Sequence, residues 1–141
     1  MRFDSPLSAE NAFYDAFDRG DHVAMMNVWG SSDDIVCIHP MGPRLIGRKL
    51  ISESWKLIFA GQSRRKFDIR AKSRTQDENV AVHILDEVIS VPGSDAQFIP
   101  VLATNIYQRI DQFWFLILHH ASIDSTPRKV EPRKRHKFEL N

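Results

Sequence analysis

The segment Phe113–Ser122, Phe-Trp-Phe-Leu-Ile-Leu-His-His-Ala-Ser, constrains this chain more than any other stretch. Its apolar run is too short for a full helix and rich in β-formers, so it reads as a strand. Side chains alternate along a strand. Trp114, Leu116, Leu118, His120 and Ser122 therefore share one face, and Phe113, Phe115, Ile117, His119 and Ala121 share the other. Both faces are apolar, so both need covering. The rest of the chain must supply two covers and decide which histidine meets a ligand.

A chain of 141 residues suits one domain with one core. No apolar run approaches the roughly 20 residues of a membrane span, and Met1–Glu10 lacks the pattern of a signal peptide. A single cysteine, Cys37, excludes an internal disulfide and suits a reducing cytoplasm, with the thiol as a packing residue rather than a nucleophile. The net charge of +1 hides an asymmetry. From Thr126 onward six basic residues face two acidic ones, a net +4 that leaves −3 for the remainder. That tail, 126–141, reads as a flexible basic appendage to a domain spanning 1–125. The acidic body offers no groove for nucleic acid, so no such partner is expected.

Ser5-Pro6 opens a helix, with Ser5 as N-cap and Pro6 at the first helical position. Ala9, Ala12, Phe13, Ala16 and Phe17 form its apolar stripe, and Gly20 ends it. Asp21 caps a second, short helix in which Val23, Met26 and Trp29 point inward. Ile35–His39 is a strand stopped by Pro40, and a return strand follows near Leu45-Ile46. A third helix runs from Gly47 to about Ala60, burying Leu50, Ile51, Trp55, Ile58 and Phe59. From Phe67 the period changes to two. Strands start there, at Val80–Val91, at Phe98–Ile110 and at the opening segment, the last two joined by a tight Asp111-Gln112 hairpin. Helices first and strands later indicate an α+β fold with a curved antiparallel sheet wrapped on the helices.

Three segments together resemble the nuclear transport factor 2-like superfamily, specifically its SnoaL-like members. They are Phe13–Asp21 running on to Trp29; His39-Pro40-Met41-Gly42 through Gly47 with Ile51 and Trp55; and Ala103–Tyr107 with Trp114 and His119–Ser122. The resemblance implies a cystatin-like cone of sheet closed by helices, usually dimeric, with a pocket inside. In relatives such as the association domain of calmodulin-dependent kinases, the residue after Thr104 projects into the pocket. With an unbroken hairpin register, Asn105, Tyr107, Leu116, Leu118 and His120 would then face the pocket. Thr104, Ile106, Phe113, Phe115, Ile117 and His119 would form an apolar outer face, to be covered by an isologous homodimer.

Within this resemblance His39-Pro40 occupies the position of the general base of ketosteroid isomerases. An imidazole suits proton transfer near neutral pH, although a strand-end histidine can equally be structural. Steroid isomerisation itself is rejected. The resemblance puts Phe13 where the isomerase has an oxyanion-stabilising Tyr, and Tyr14 lies about 100° around the helix. Glu87 shares a strand face with His83, Leu85 and Ile89, at a position that is pocket-facing in relatives. Burial would raise its pKa unless His120 or His39 paired with it. The expected function is a cofactor-free protein that holds a small, largely apolar organic molecule. Its catalytic candidates are His39, Glu87 and His120; Trp55, Asn105, Tyr107, Leu116 and Leu118 would contact the ligand. Isomerase, cyclase or dehydratase chemistry with His39 as base stands beside a non-catalytic binding or assembly role. His39, Glu87 and His120 have no metal-ligand spacing, so no metal is expected.

Overall fold

The computed structural model describes residues 2–61, 65–90, 93 and 100–126. Most of the basic tail, from residue 127, lies outside these, as do residues 98 and 99 of the strand expected from Phe98. Helix α1 spans Pro6–Arg19 and starts where the sequence says it should. The Ser5 hydroxyl accepts from the Ser8 N–H at 3.1 Å, and the Ser8 side chain bonds back to the Ser5 backbone. Gly20 closes the helix at φ 64°, a left-handed conformation that costs a glycine little. Helix α2, His22–Val28, is capped by Asp21, whose carboxylate accepts from the Ala24 N–H at 2.9 Å. Helix α3 covers Arg48–Gly61.

Strands β1 (Val36–Ile38), β2 (Arg44–Ile46), β3 (Lys66–Gln76), β4 (Val80–Ser90), β5 (Val101–Ile110) and β6 (Phe113–Ile123) form one open, curved sheet. Its order is β2-β1-β6-β5-β4-β3. All pairings are antiparallel except β1 with β6, which run parallel, so the sheet is mixed. The β5–β6 turn is a two-residue hairpin in which Asp111 and Gln112 both take positive φ, matching the twist of the strands it joins.

The helices pack on the inner face around an aromatic cluster. Phe13 sits edge-on to Trp55 at 5.7 Å between ring centroids and 5.0 Å from the His119 ring. Phe17 contacts Trp55 and Phe67 at 4.8 and 4.1 Å. Arg48 ties α3 to α2 by donating to the carbonyls of Met26, Trp29 and Gly30, which the end of α2 leaves without helical partners. Two expected core positions are corrected. Val23 is 72% exposed and Leu50 is 47% exposed. On α2 Met26 is buried as expected, as is Trp29 just beyond it, and Met25 and Val28 take the inward place expected of Val23.

Two β-bulges decide which side chains reach the interior. In β6 the pairing runs Ile110↔Phe113 to Tyr107↔Leu116, then resumes at Ile106↔Leu118, leaving Ile117 as the extra residue. An extra residue shifts every later side chain to the other face. His119 and Ala121 consequently point inward, whereas His120 is exposed and Leu118 leaves the inner row. The expectation that Leu118 and His120 face the pocket and His119 the outside is therefore reversed. In β3 a shift between Ala71 and Ser73 does the same, bringing Arg74 opposite His83.

Candidate functional site

A cavity of about 360 Å³ opens between α1, α3 and the inner face of the sheet. Its walls include Phe17, Leu57, Ile58, Ile89, Val101 and Ala121, and three titratable side chains converge on it: His39, Glu87 and His119. Arg65, just before β3, also lines it. Larger grooves exist near Arg2 and Phe113 and on the outer sheet face near His120. Neither gathers buried acid–base groups, and convergent polar groups in an apolar pocket mark the better site.

Glu87 enters from β4, whose alternation buries Ala81, His83, Leu85 and Glu87 in one row. The Tyr14 hydroxyl donates to its Oε2 at 2.6 Å. Burial pushes the Glu87 carboxyl up to about 7, against the opposing effect of that hydrogen bond. At neutral pH the group is thus poised between acid and base. His119 enters from β6 beyond the bulge, 1% exposed. Desolvation, assisted by repulsion from His39 and His120, lowers it to about 3, so its imidazole is neutral.

A hydrogen-bond chain connects the two. Asn105, on β5 directly opposite His119, accepts from its Nδ1 at 2.6 Å through Oδ1 and donates from Nδ2 to the Tyr14 hydroxyl at 3.0 Å. His119 thereby keeps its proton on Nδ1 and presents a bare Nε2.

His39 stands at the end of β1, half-buried, its ring edge-on to Trp55 at 4.8 Å and 6.5 Å from the His119 ring. Its Nε2 lies 3.0 Å from the Ser54 hydroxyl, which donates its own proton to the Ile51 carbonyl at 2.7 Å. A hydroxyl has one proton to give, so Nε2–H of His39 is the donor and Nδ1 carries the free lone pair. Burial holds the His39 pKa below the usual imidazole value, again favouring the neutral base. Cys37, 3.6 Å from the same Nε2, has its thiol pKa raised by burial and is inert packing.

The remaining sequence candidates sit apart from the cavity wall. Trp55 and Leu116 are fully buried core residues, and Asn105 acts through His119. Tyr107 is buried beside the His83 ring at 4.9 Å, in a second polar cluster where Arg74 and His83 both bond to the Glu10 carboxylate. Leu118 and His120 lie off the site because of the bulge. Two residues of the site were not singled out from sequence. His119 was displaced by the unbroken register, and Tyr14 by measuring it against the position of Phe13. The signal for Tyr14 was its four-residue spacing from Glu10, since α1 buries Glu10, Phe13, Tyr14 and Phe17 as one broad face. Among the described residues no three His, Cys, Asp or Glu side chains cluster as a metal site would require.

Comparison with known proteins agrees with this architecture. The SnoaL-like domain profile matches residues 7–125. A crystal structure of a candidate calcium/calmodulin-dependent protein kinase type II association domain from Thiobacillus denitrificans superposes with a TM-score of 0.84. It is 33% identical in sequence, and the match covers 87% of this chain and 98% of that one. A candidate dehydratase of the NTF2-like family from Streptomyces avermitilis gives 0.73 at 29% identity, over 82% and 91% of the two chains. Among curated proteins, F-box protein SKIP8 of Arabidopsis thaliana is 26% identical over 100 residues, which are 71% of this chain but 41% of that protein. The chain thus spans about two-fifths of that relative's length. By profile and by fold, it belongs to the SnoaL-like domain family of the nuclear transport factor 2-like superfamily.

Proposed function

We propose that this protein binds a small, largely apolar organic molecule in the His39–Glu87–His119 cavity and moves a proton on it without a cofactor. One observation carries the reading: two neutral imidazoles and a carboxyl with a pKa of about 7 share one apolar cavity. His39 Nδ1 takes a proton from a carbon next to a carbonyl. The protonated Glu87 carboxyl donates to the oxygen that gains charge, which a dry pocket makes worth several kcal/mol. Returning the proton to another carbon completes an isomerisation. If a β-hydroxyl leaves instead, it takes the Glu87 proton and departs as water, and the proton on His39 later restores Glu87. The likeness to a candidate dehydratase at 29% identity supports this second outcome. A reducing cytoplasm suits the single, buried free thiol of Cys37.

The test is hydrogen–deuterium exchange at carbon, followed by NMR in D₂O with a panel of enolisable ketones and β-hydroxy carbonyl compounds. At least one should exchange or dehydrate faster than in buffer. His39→Ala should lower that rate by about 10²-fold or more, and His120→Ala should leave it unchanged. Wild-type rates equal to buffer across the panel, or an unaffected His39→Ala protein, would overturn the reading.

A second role is compatible with the first. The likeness to an association domain at 33% identity, and the exposure of Ile84 and Leu102 at 37% and 41%, support homodimerisation through the outer sheet face.

A further inference from the structure

We propose that the chain Glu87–Tyr14–Asn105–His119 couples the charge on Glu87 to the tautomer of His119. A proton on one wall of the cavity then frees the imidazole on another, otherwise held as an acceptor, to become a donor. The inference concerns the cavity of the proposed function but stands on the hydrogen-bond geometry alone.

Three contacts of 2.6, 3.0 and 2.6 Å limit how donors and acceptors can be arranged along the chain. An ionised carboxylate can only accept, so Tyr14 must spend its single proton on Glu87. The Tyr14 oxygen can then only accept from Asn105, which has to turn its NH₂ that way. That leaves the Asn105 carbonyl oxygen for His119, whose proton must sit on Nδ1. An ionised Glu87 therefore permits one arrangement, with a bare Nε2.

Once Glu87 is protonated, the opposite polarity also satisfies every contact. The carboxyl O–H donates to the Tyr14 oxygen and the Tyr14 proton turns to the Asn105 carbonyl. The Asn105 amide, rotated by half a turn, donates its NH₂ to a bare Nδ1. The His119 proton then sits on Nε2. Protons balance with water as carrier: one is taken up by Glu87, one arrives at Nε2, and the Nδ1 proton leaves.

The surroundings allow Glu87 to drive this change. Around Glu87 stand Tyr14 and Phe17 from α1, Ile69 opposite on β3 and Val101 opposite on β5. His39, His119 and Arg65 line the same cavity, and the Cys37 thiol and Tyr107 lie within electrostatic reach of the carboxyl. The thiol and both phenols are held un-ionised by burial, and His119, lowered to about 3, does not itself charge in the range where Glu87 titrates near 7. Glu10, Arg74 and His83 are paired with one another in the separate cluster.

The test reads the tautomer directly, without substrate. In ¹⁵N-labelled protein, two-bond ¹H–¹⁵N correlations of the His119 ring distinguish protonated from bare nitrogens. They are followed from about pH 9 to about pH 5, alongside the ¹³C carboxyl signal of Glu87. The expected result is a pure Nδ1–H form at the alkaline end, with the Nε2–H form appearing as Glu87 protonates and sharing its midpoint. Tyr14→Phe cuts the chain and Glu87→Gln removes the charge, so in either the tautomer ratio should lose that midpoint. A wild-type ratio that stays constant while Glu87 titrates, or the same change in both variants, would overturn the proposal. A protein silent in the exchange assay would leave it standing.

Discussion

Replacing Glu87 with glutamine should make the protein less sensitive to alkaline pH, because the wild-type carboxyl resists ionisation in the fold. Its pKa is about 7 in the folded chain against a reference of 4.5. An acid whose folded pKa is raised contributes stability that is fully present below the unfolded value and lost as pH rises through the folded one. The window thus opens near pH 4.5 and closes just above 7. A gap of about 2.5 units at about 1.4 kcal/mol each corresponds to about 3 kcal/mol. Glu87 is 3% exposed, so solvent screening takes little from that figure. Glutamine nearly preserves the shape, can accept from Tyr14 through its carbonyl, and cannot ionise. Urea unfolding of both proteins between about pH 4.5 and about pH 8 is the assay. The stability difference between variant and wild type should shift by about 3 kcal/mol in favour of the variant across that window. Parallel curves, offset but never converging or crossing, would refute both the raised pKa and the poised-carboxyl mechanism.

At the acid end, His119 should dominate. Its pKa falls from 6.5 to about 3, so the stability from keeping it neutral is present above 6.5 and lost as pH drops through 3. The loss amounts to about 5 kcal/mol. His119→Gln, which can still donate to Asn105, should therefore unfold at a lower pH than wild type in a tryptophan-fluorescence acid titration. On the outer face, Leu102→Lys should convert a wild-type dimer to monomer in gel filtration at micromolar concentration, because an isologous contact meets the new charge twice. A monomeric wild type would contradict the dimer.

The elements and their ends were legible because local chemistry dictates them. Ser5, Gly20 and Asp21 cap helices whichever fold follows, and the change of period at Phe67 separates helical from extended chain without reference to neighbours. Placing Glu87 and Asn105 inward needed both strand alternation and the family resemblance. Beyond a bulge, alternation assigns the wrong face. His119 and His120 are adjacent, so alternation guarantees that they face opposite ways, but nothing local says which goes in. Tyr14 was missed for a related reason. A helix face defined by its apolar residues does not announce that it is broad enough to include a tyrosine and a glutamate.

What the sequence determined alone was the order of elements, their caps, and the pairing of an apolar strand with two histidines it must separate. Tertiary structure decided which histidine serves the cavity. The extra residue at Ile117 and the shift at Ala71/Ser73 lie in the sheet that closes over Phe13, Phe17 and Trp55. A bulge depends on pairing between strands and on the curvature the core demands, and neither is encoded within the bulged strand itself.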